Sequence, residues 1–154
     1  MKANLFNPGT QQSILERIRQ FGPDTPRLWG KMTNQEVVCH MADPFRDVLH
    51  IRNSKPAFPR LLQPLLRRMV LTEKDWKPNT PTLQVYRQGE GGGGTLPTNF
   101  EADKATLLDL IAKFCSMDEQ YKFAPHPGIG QLSREQNGFM MWKHTDHHLR
   151  QFGV

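Results

Sequence analysis

A chain of 154 residues, 37% hydrophobic and 23% charged, is long enough for one domain with a buried core and too apolar to be disordered. The net charge of +5 permits contact with anions, but the cations are scattered. The densest basic patch is Arg67-Arg68, and no basic run with interleaved aromatics, helix-turn-helix signature or zinc-finger spacing marks a nucleic-acid binder. No run of 18 apolar residues is present, the start Met1-Lys2-Ala3-Asn4-Leu5-Phe6 lacks a signal-peptide pattern, and Cys39 and Cys115 make no disulfide framework. No membrane partner is therefore expected, and the cytoplasm is the default location.

The first helix is predicted over Gln11 to Phe21, where Ile14, Leu15, Ile18 and Phe21 recur at helical spacing before Gly22-Pro23 stops it. A turn-rich link, Pro23 to Met32, follows. Thr33-Asn34-Gln35-Glu36 has the form of a capping box and opens a second helix to about Ile51. Its apolar stripe is Val37, Val38, Met41, Phe45, Val48 and Leu49, and Pro44 inside it predicts a kink. Arg60 to Leu71 is expected to form a short crossover helix. From Thr72 to Asn99 no helical period survives. Pro78, Pro81, Pro97 and the run Gly89-Glu90-Gly91-Gly92-Gly93-Gly94 predict a loop, with Leu83-Gln84-Val85-Tyr86 as a short extended piece. So long a loop in a small domain is functional or disordered.

Thr98-Asn99-Phe100-Glu101 reads as another capping box, opening a helix to about Met117 with Leu107, Leu108, Leu110, Ile111 and Phe114 apolar. Pro125 to Gly130 is a turn-rich link. Ser133-Arg134-Glu135-Gln136 caps the last helix, which runs to Phe152 and ends at Gly153. Four long helices and a short one predict an all-α single domain, a helical bundle whose middle connection is a crossover.

The last helix carries Lys143-His144-Thr145-Asp146-His147-His148, in which half of the six histidines fall. His144 and His148 stand four apart and share a helix face, a spacing that lets two imidazoles bind one metal ion. The segment is not HExxH, because Thr145 follows His144, so the usual zinc-protease base is absent. At about 100° per residue, Phe139, Met141, Trp142, Leu149 and Phe152 define the buried side. His144 and His148 lie at its edge, and His147, about 100° from His148, is predicted to face solvent. The alternative is that the pair merely flanks the core. On the second helix His40 also borders the apolar stripe. Asp43 and Asp47 share its side and are candidates to hold its second ring N–H, or are ordinary solvated charges. His50 points away from His40. His126, between two prolines, is either a turn residue or a substrate-facing group near the metal. Gln151, three residues past His148, is a candidate hydrogen-bond partner.

Arg27-Leu28-Trp29-Gly30-Lys31-Met32-Thr33, Val38-Cys39-His40-Met41-Ala42-Asp43, His126-Pro127-Gly128-Ile129-Gly130-Gln131-Leu132-Ser133 and Lys143 through Gly153 together resemble an uncharacterised subfamily of the DinB-like superfamily of damage-inducible, metal-dependent proteins. The resemblance spans nearly the whole chain. It implies a four-helix bundle of up-up-down-down order and a divalent metal, nickel or zinc, held by His40, His144 and His148. It further implies a homodimer and, as one activity, a thiol S-transferase using a low-molecular-weight thiol. The Thr72–Asn99 loop is where departures from the general pattern are expected.

Three neutral imidazoles leave a metal its full charge and open positions, which suits an enzyme acting on a small molecule, as a thiol transferase or a hydrolase. No general base stands out; Asp43, Asp47, Asp146 and His126 are the candidates. The competing expectation is a non-enzymatic metal-binding stress-response protein, whose closed site would need a fourth ligand. Cys39 projects about 100° from His40 and is a poor one.

Overall fold

The computed structural model describes residues 3–154. Its regular elements are all helical: α1 (Pro8–Gln20), α2 (Asn34–Val48), α3 (Gln63–Val70), a 3-10 turn (Gln84–Tyr86), α4 (Phe100–Ser116) and α5 (Arg134–Gln151). Among the described residues the one isolated strand-like pairing joins His126 and Gly130.

Side-chain caps set the helix starts. Both reciprocal capping boxes form, Thr33 with Glu36 on α2 and Ser133 with Gln136 on α5. Each supplies partners for N–H groups that a helix end leaves orphaned, worth about 1 kcal/mol. The Asn7 side chain accepts from the Gly9 N–H with Pro8 at the first helical position, so α1 begins before the predicted Gln11. On α4 the capping residue is Asn99, which accepts from the Glu101 and Ala102 N–H groups. Thr98 does not form the expected box; its N–H and hydroxyl both donate to Asp103.

Helix α2 stops at Val48 rather than near Ile51 because the chain turns back on itself. His50 takes a left-handed φ of 59°, and the N–H groups of Ile51 and Arg52 donate to the Arg46 carbonyl at 2.9 and 3.0 Å. Pro44 is accommodated inside α2; having no N–H, it cannot give the His40 carbonyl its helical donor.

Helix α2 packs on α4 and α5, and α1 packs on the same two helices. Ile14, Ile18, Met41, Phe45, Leu107, Ile111, Phe114 and Met141 fill the space between them, each at most 1% exposed. Phe114 stacks on Phe6 and meets Phe45 edge-on, tying α4 to the N-terminal segment and α2. Helix α3 contributes no buried residue and exposes Leu65 and Met69. No described helix is long and apolar enough to cross a membrane.

The long loop is ordered by α2. Asp43 is fully buried, where a pair of ordinary solvated charges had been one expectation. Its carboxylate accepts from the Thr95 N–H and hydroxyl and pairs with Arg46 at 3.0 Å and Arg52 at 3.3 Å. Arg52 also donates to the Val85 and Gly93 carbonyls. Gly92 packs so closely on Arg87 that an added Cβ would lie 2.0 Å from its carbonyl oxygen, which explains a glycine there. Residues Leu83–Tyr86 are not extended: the Tyr86 N–H closes back on the Leu83 carbonyl at 2.9 Å. This turn points the Tyr86 carbonyl at α2.

Candidate metal centre

His40 from α2 and His144 and His148 from α5 meet between the two helices, with one nitrogen of each within 4.8 Å of the others. All three are buried, at 1%, 7% and 8% exposure. These residues can hold a metal ion. The i, i+4 spacing sets the two α5 rings edge to face one turn apart, 4.8 Å between centroids, and His40 closes the triangle at 4.9 and 4.6 Å.

Two of the rings are oriented by partners outside the cluster. The Nδ1–H of His40 donates to the Tyr86 carbonyl at 2.8 Å, because a carbonyl can only accept. The Nδ1–H of His148 donates to Gln151 Oε1 at 2.9 Å, and Gln151 Nε2 in turn donates to the Trp29 carbonyl at 3.0 Å. That second bond fixes which end of the amide faces the histidine. Both rings therefore present a bare Nε2. His40 Nε2 lies 3.1 Å from His144 Nε2. Two lone pairs do not face each other at that distance without a proton or a cation between them. A neutral His144 with its proton on Nε2 donates to His40 across that distance, and an ion about 2.1 Å from each nitrogen spans it equally well; His144 Nδ1 is buried without a partner of its own.

Burial, and then the neighbouring imidazoles, hold His144 and His148 well below the ordinary histidine range. Burial also lowers His40, opposed by the Tyr86 hydrogen bond and the Asp43 charge. All three are neutral near pH 7, the state in which imidazole binds metal.

Three sequence expectations need correction here. His147 does not face solvent. It is 5% exposed, packed on Trp29 at 4.8 Å and Trp76 at 5.6 Å between ring centroids, and burial with the Arg150 charge pulls it down to about 4. It is buried because α5 is covered on nearly every side. Asp43 and Asp47 do not orient His40; Tyr86 does. Asp47 is also buried, and its Oδ1 accepts from the Ser54 N–H. His126 takes the turn reading of the two offered: it lies outside the cluster, buried, its Nδ1 accepting from the Gly128 N–H, and it borders a chamber that also reaches His144. Burial pulls His126 down to about 4, and its ring sits 5.9 Å from that of Tyr86. Asp146 points elsewhere, pairing with Arg17 at 2.7 Å and Arg150 at 2.8 Å.

Other expectations match the geometry. Gln151 reaches His148. His50 is exposed, its ring bonded to the Lys122 carbonyl. The Cys39 thiol is turned toward Asp103, and burial with that carboxylate pushes it up to about 12, so it supplies no fourth ligand. Among the described residues no further His, Cys, Asp or Glu joins the cluster, so three nitrogens would leave a bound ion at least one free position.

A chamber of about 510 Å³ opens onto the three rings, bordered by Trp29, Lys31, Trp76, Arg87 and His147. Trp76 and Tyr86 come from the aperiodic loop, so no helical pattern in the sequence flags them. Lys143 was also missed: its buried amine donates to the Val70 and Thr72 carbonyls at 3.1 and 2.6 Å, fastening the end of α3 beside the chamber.

Residues 54–153 match the family model described as a protein of unknown function, DUF1569. The matched span contains His144, His148 and Gln151, whereas His40 precedes it. No curated protein and no solved structure matches the chain.

Proposed function

The chain belongs to the DUF1569 family, and we propose that it is a metal-dependent enzyme acting on a small molecule through His40, His144 and His148, with thiol transfer or hydrolysis as its reaction. The observation that carries this reading is the pair of opposed Nε2 atoms at 3.1 Å beside a third inward imidazole, two of the three rings held in ligand tautomer by Tyr86 and Gln151. A divalent ion such as zinc or nickel would lower the pKa of a thiol or water bound to it and polarise a substrate carbonyl. The protein's own residues do the rest. Tyr86 and Gln151 hold the rings, while Trp29, Trp76 and His147 pack together along one side of the chamber. Lys31 and Arg87 at its rim attract negative charge.

The resemblance to DinB-like proteins supports the same arrangement. Four long helices pack on one another, and the link from α2 to α4 carries α3, as a four-helix bundle with a crossover requires. A homodimer, which that resemblance also implies, is checked by light scattering of the eluted protein.

Metal analysis of purified protein tests the proposal. Wild type should carry about one divalent ion per chain, as three-histidine sites do. His144→Ala should lose it, and His147→Ala should keep it, since His147 walls the chamber without belonging to the cluster. Equal metal in the wild type and His144→Ala would overturn the site. For the loaded protein, a panel of thiols with an electrophilic acceptor, set beside ester and amide substrates, separates transferase from hydrolase. Turnover of neither favours the non-enzymatic metal-binding alternative.

A further inference from the structure

A second chamber, of about 410 Å³, lies under α3 and shares a wall with the first. Trp76, His144 and the segment Thr80–Thr82 border both. The chemistry of the two linings differs sharply. Around the first, Lys31 and Arg87 are the charged groups and no carboxylate is present. Around the second, Leu66, Val70, Leu83, Ile129 and Met140 dominate, and no charged side chain lines it. His144 is common to both, so the second chamber reaches one ring of the three-histidine cluster.

The apolar chamber is no accident of loose packing. Ile129, Leu132 and Met140 form a small buried cluster separate from the main core, with Leu66, Val70 and Trp76 packed against it. The amine of Lys143 pins the end of α3 over it, and Arg67 Nε donates to the Ile129 carbonyl at 3.1 Å. A built apolar cavity that opens beside convergent polar groups has the anatomy of a ligand site.

The geometry points to a substrate class: a small amphipathic anion, its negative head toward Lys31, Arg87 and the cluster, and its apolar arm in the chamber under α3. This rests on the metal-site reading for the position of the head, but the arm depends on the apolar lining alone. The electrostatics agree. Three neutral imidazoles would leave a divalent ion its full charge, and two further cations stand at the rim. The hydrophobic effect then rewards an arm long enough to fill the second chamber.

Calorimetric titration of the full-length protein with n-alkylphosphonates, methyl through octyl, tests the assignment on zinc-loaded and metal-free samples. Affinity should rise about fourfold with each added methylene until the chamber is full. Arg87→Gln should weaken every member by a common factor and leave that slope intact. Leu66→Trp should flatten the slope while sparing methylphosphonate. Met69→Trp, at an exposed position on α3 that borders the second chamber and not the first, should do the same should the first variant fail to fold. The slope is expected in both samples, whereas the affinity of methylphosphonate should depend on zinc. A protein that holds no zinc but keeps the slope sinks the metal reading and spares the chamber. A flat series in wild type, or a slope unchanged by both tryptophans, overturns the inference.

Discussion

Removing one side chain outside the cluster gives a quantitative test of how the site is held. Gln151→Ala withdraws the acceptor from His148 Nδ1–H and the donor from the Trp29 carbonyl. Loss of such a partner lowers metal affinity about 10- to 100-fold, which is about 1.4–2.7 kcal/mol. With free zinc buffered at about 100 times the wild-type Kd, binding adds about 2.7 kcal/mol to wild-type stability. At the same free zinc the variant sits at about 1–10 times its own Kd and gains about 0.4–1.4 kcal/mol. A domain of this size shifts by about 2–4 °C per kcal/mol. The zinc-induced rise in Tm should thus fall from about 5–11 °C in wild type to about 1–6 °C in the variant. Scanning calorimetry at buffered zinc, with metal-free samples of each protein as baselines, measures it. The baselines absorb the cost of the lost hydrogen bonds themselves, about 1 kcal/mol. Equal zinc-induced rises in the two proteins would refute the claim that Gln151 orients a ligand.

Gly30→Ala should reproduce part of that effect, because Gly30 has a φ of +86° and an added Cβ would lie 2.3 Å from Gln151 Nε2. An unchanged zinc affinity by competition titration would show that Gln151 can move without consequence. Asp43→Asn leaves Arg46 and Arg52 without their shared buried carboxylate and should cost about 3 kcal/mol, read as a lower denaturation midpoint; a loss under about 1 kcal/mol would mean that solvent already screens both guanidiniums. The metal-free fold should weaken in acid through His126, whose pKa is pulled by burial down to about 4 in the fold. The unfolded chain takes up that proton near pH 6.5. Between those values the unfolded state binds more protons, so stability falls as pH drops, by about 2 kcal/mol at pH 5 from this group. His126→Asn should make the drop in Tm between pH 7 and pH 5 smaller; an identical drop would assign the acid sensitivity to other groups.

Much of the helical layout was legible in short-range pattern. Thr33, Glu36, Ser133 and Gln136 announce two helix starts that form as expected, because a capping box is closed within four residues. The apolar stripe of α2 is read directly from its period, and every predicted member of it is buried. The pairing of His144 with His148 follows from spacing alone. By contrast, the placement of His147 depends on what covers the far side of α5. The period of α5 is weak because Asn137 through Gln151 is buried almost throughout. Rotation about one axis cannot report a helix surrounded by neighbours.

The loop between α3 and α4 divides the same way. Its glycines and prolines mark a stretch without helical period, and that much is local chemistry. That Thr95 ties it to Asp43, that Tyr86 offers a carbonyl to His40, and that Trp76 closes over His147 are pairings across 46 or more residues. The sequence by itself determined that the chain is helical, where α2 and α5 begin, and that two histidines share one turn of the last. Only the tertiary structure decided that His40 meets them, which partners turn two of the three rings to face inward, and which chambers open there. Local patterns reflect backbone geometry within a few residues, whereas an imidazole's tautomer and burial are set by whatever the fold packs against it.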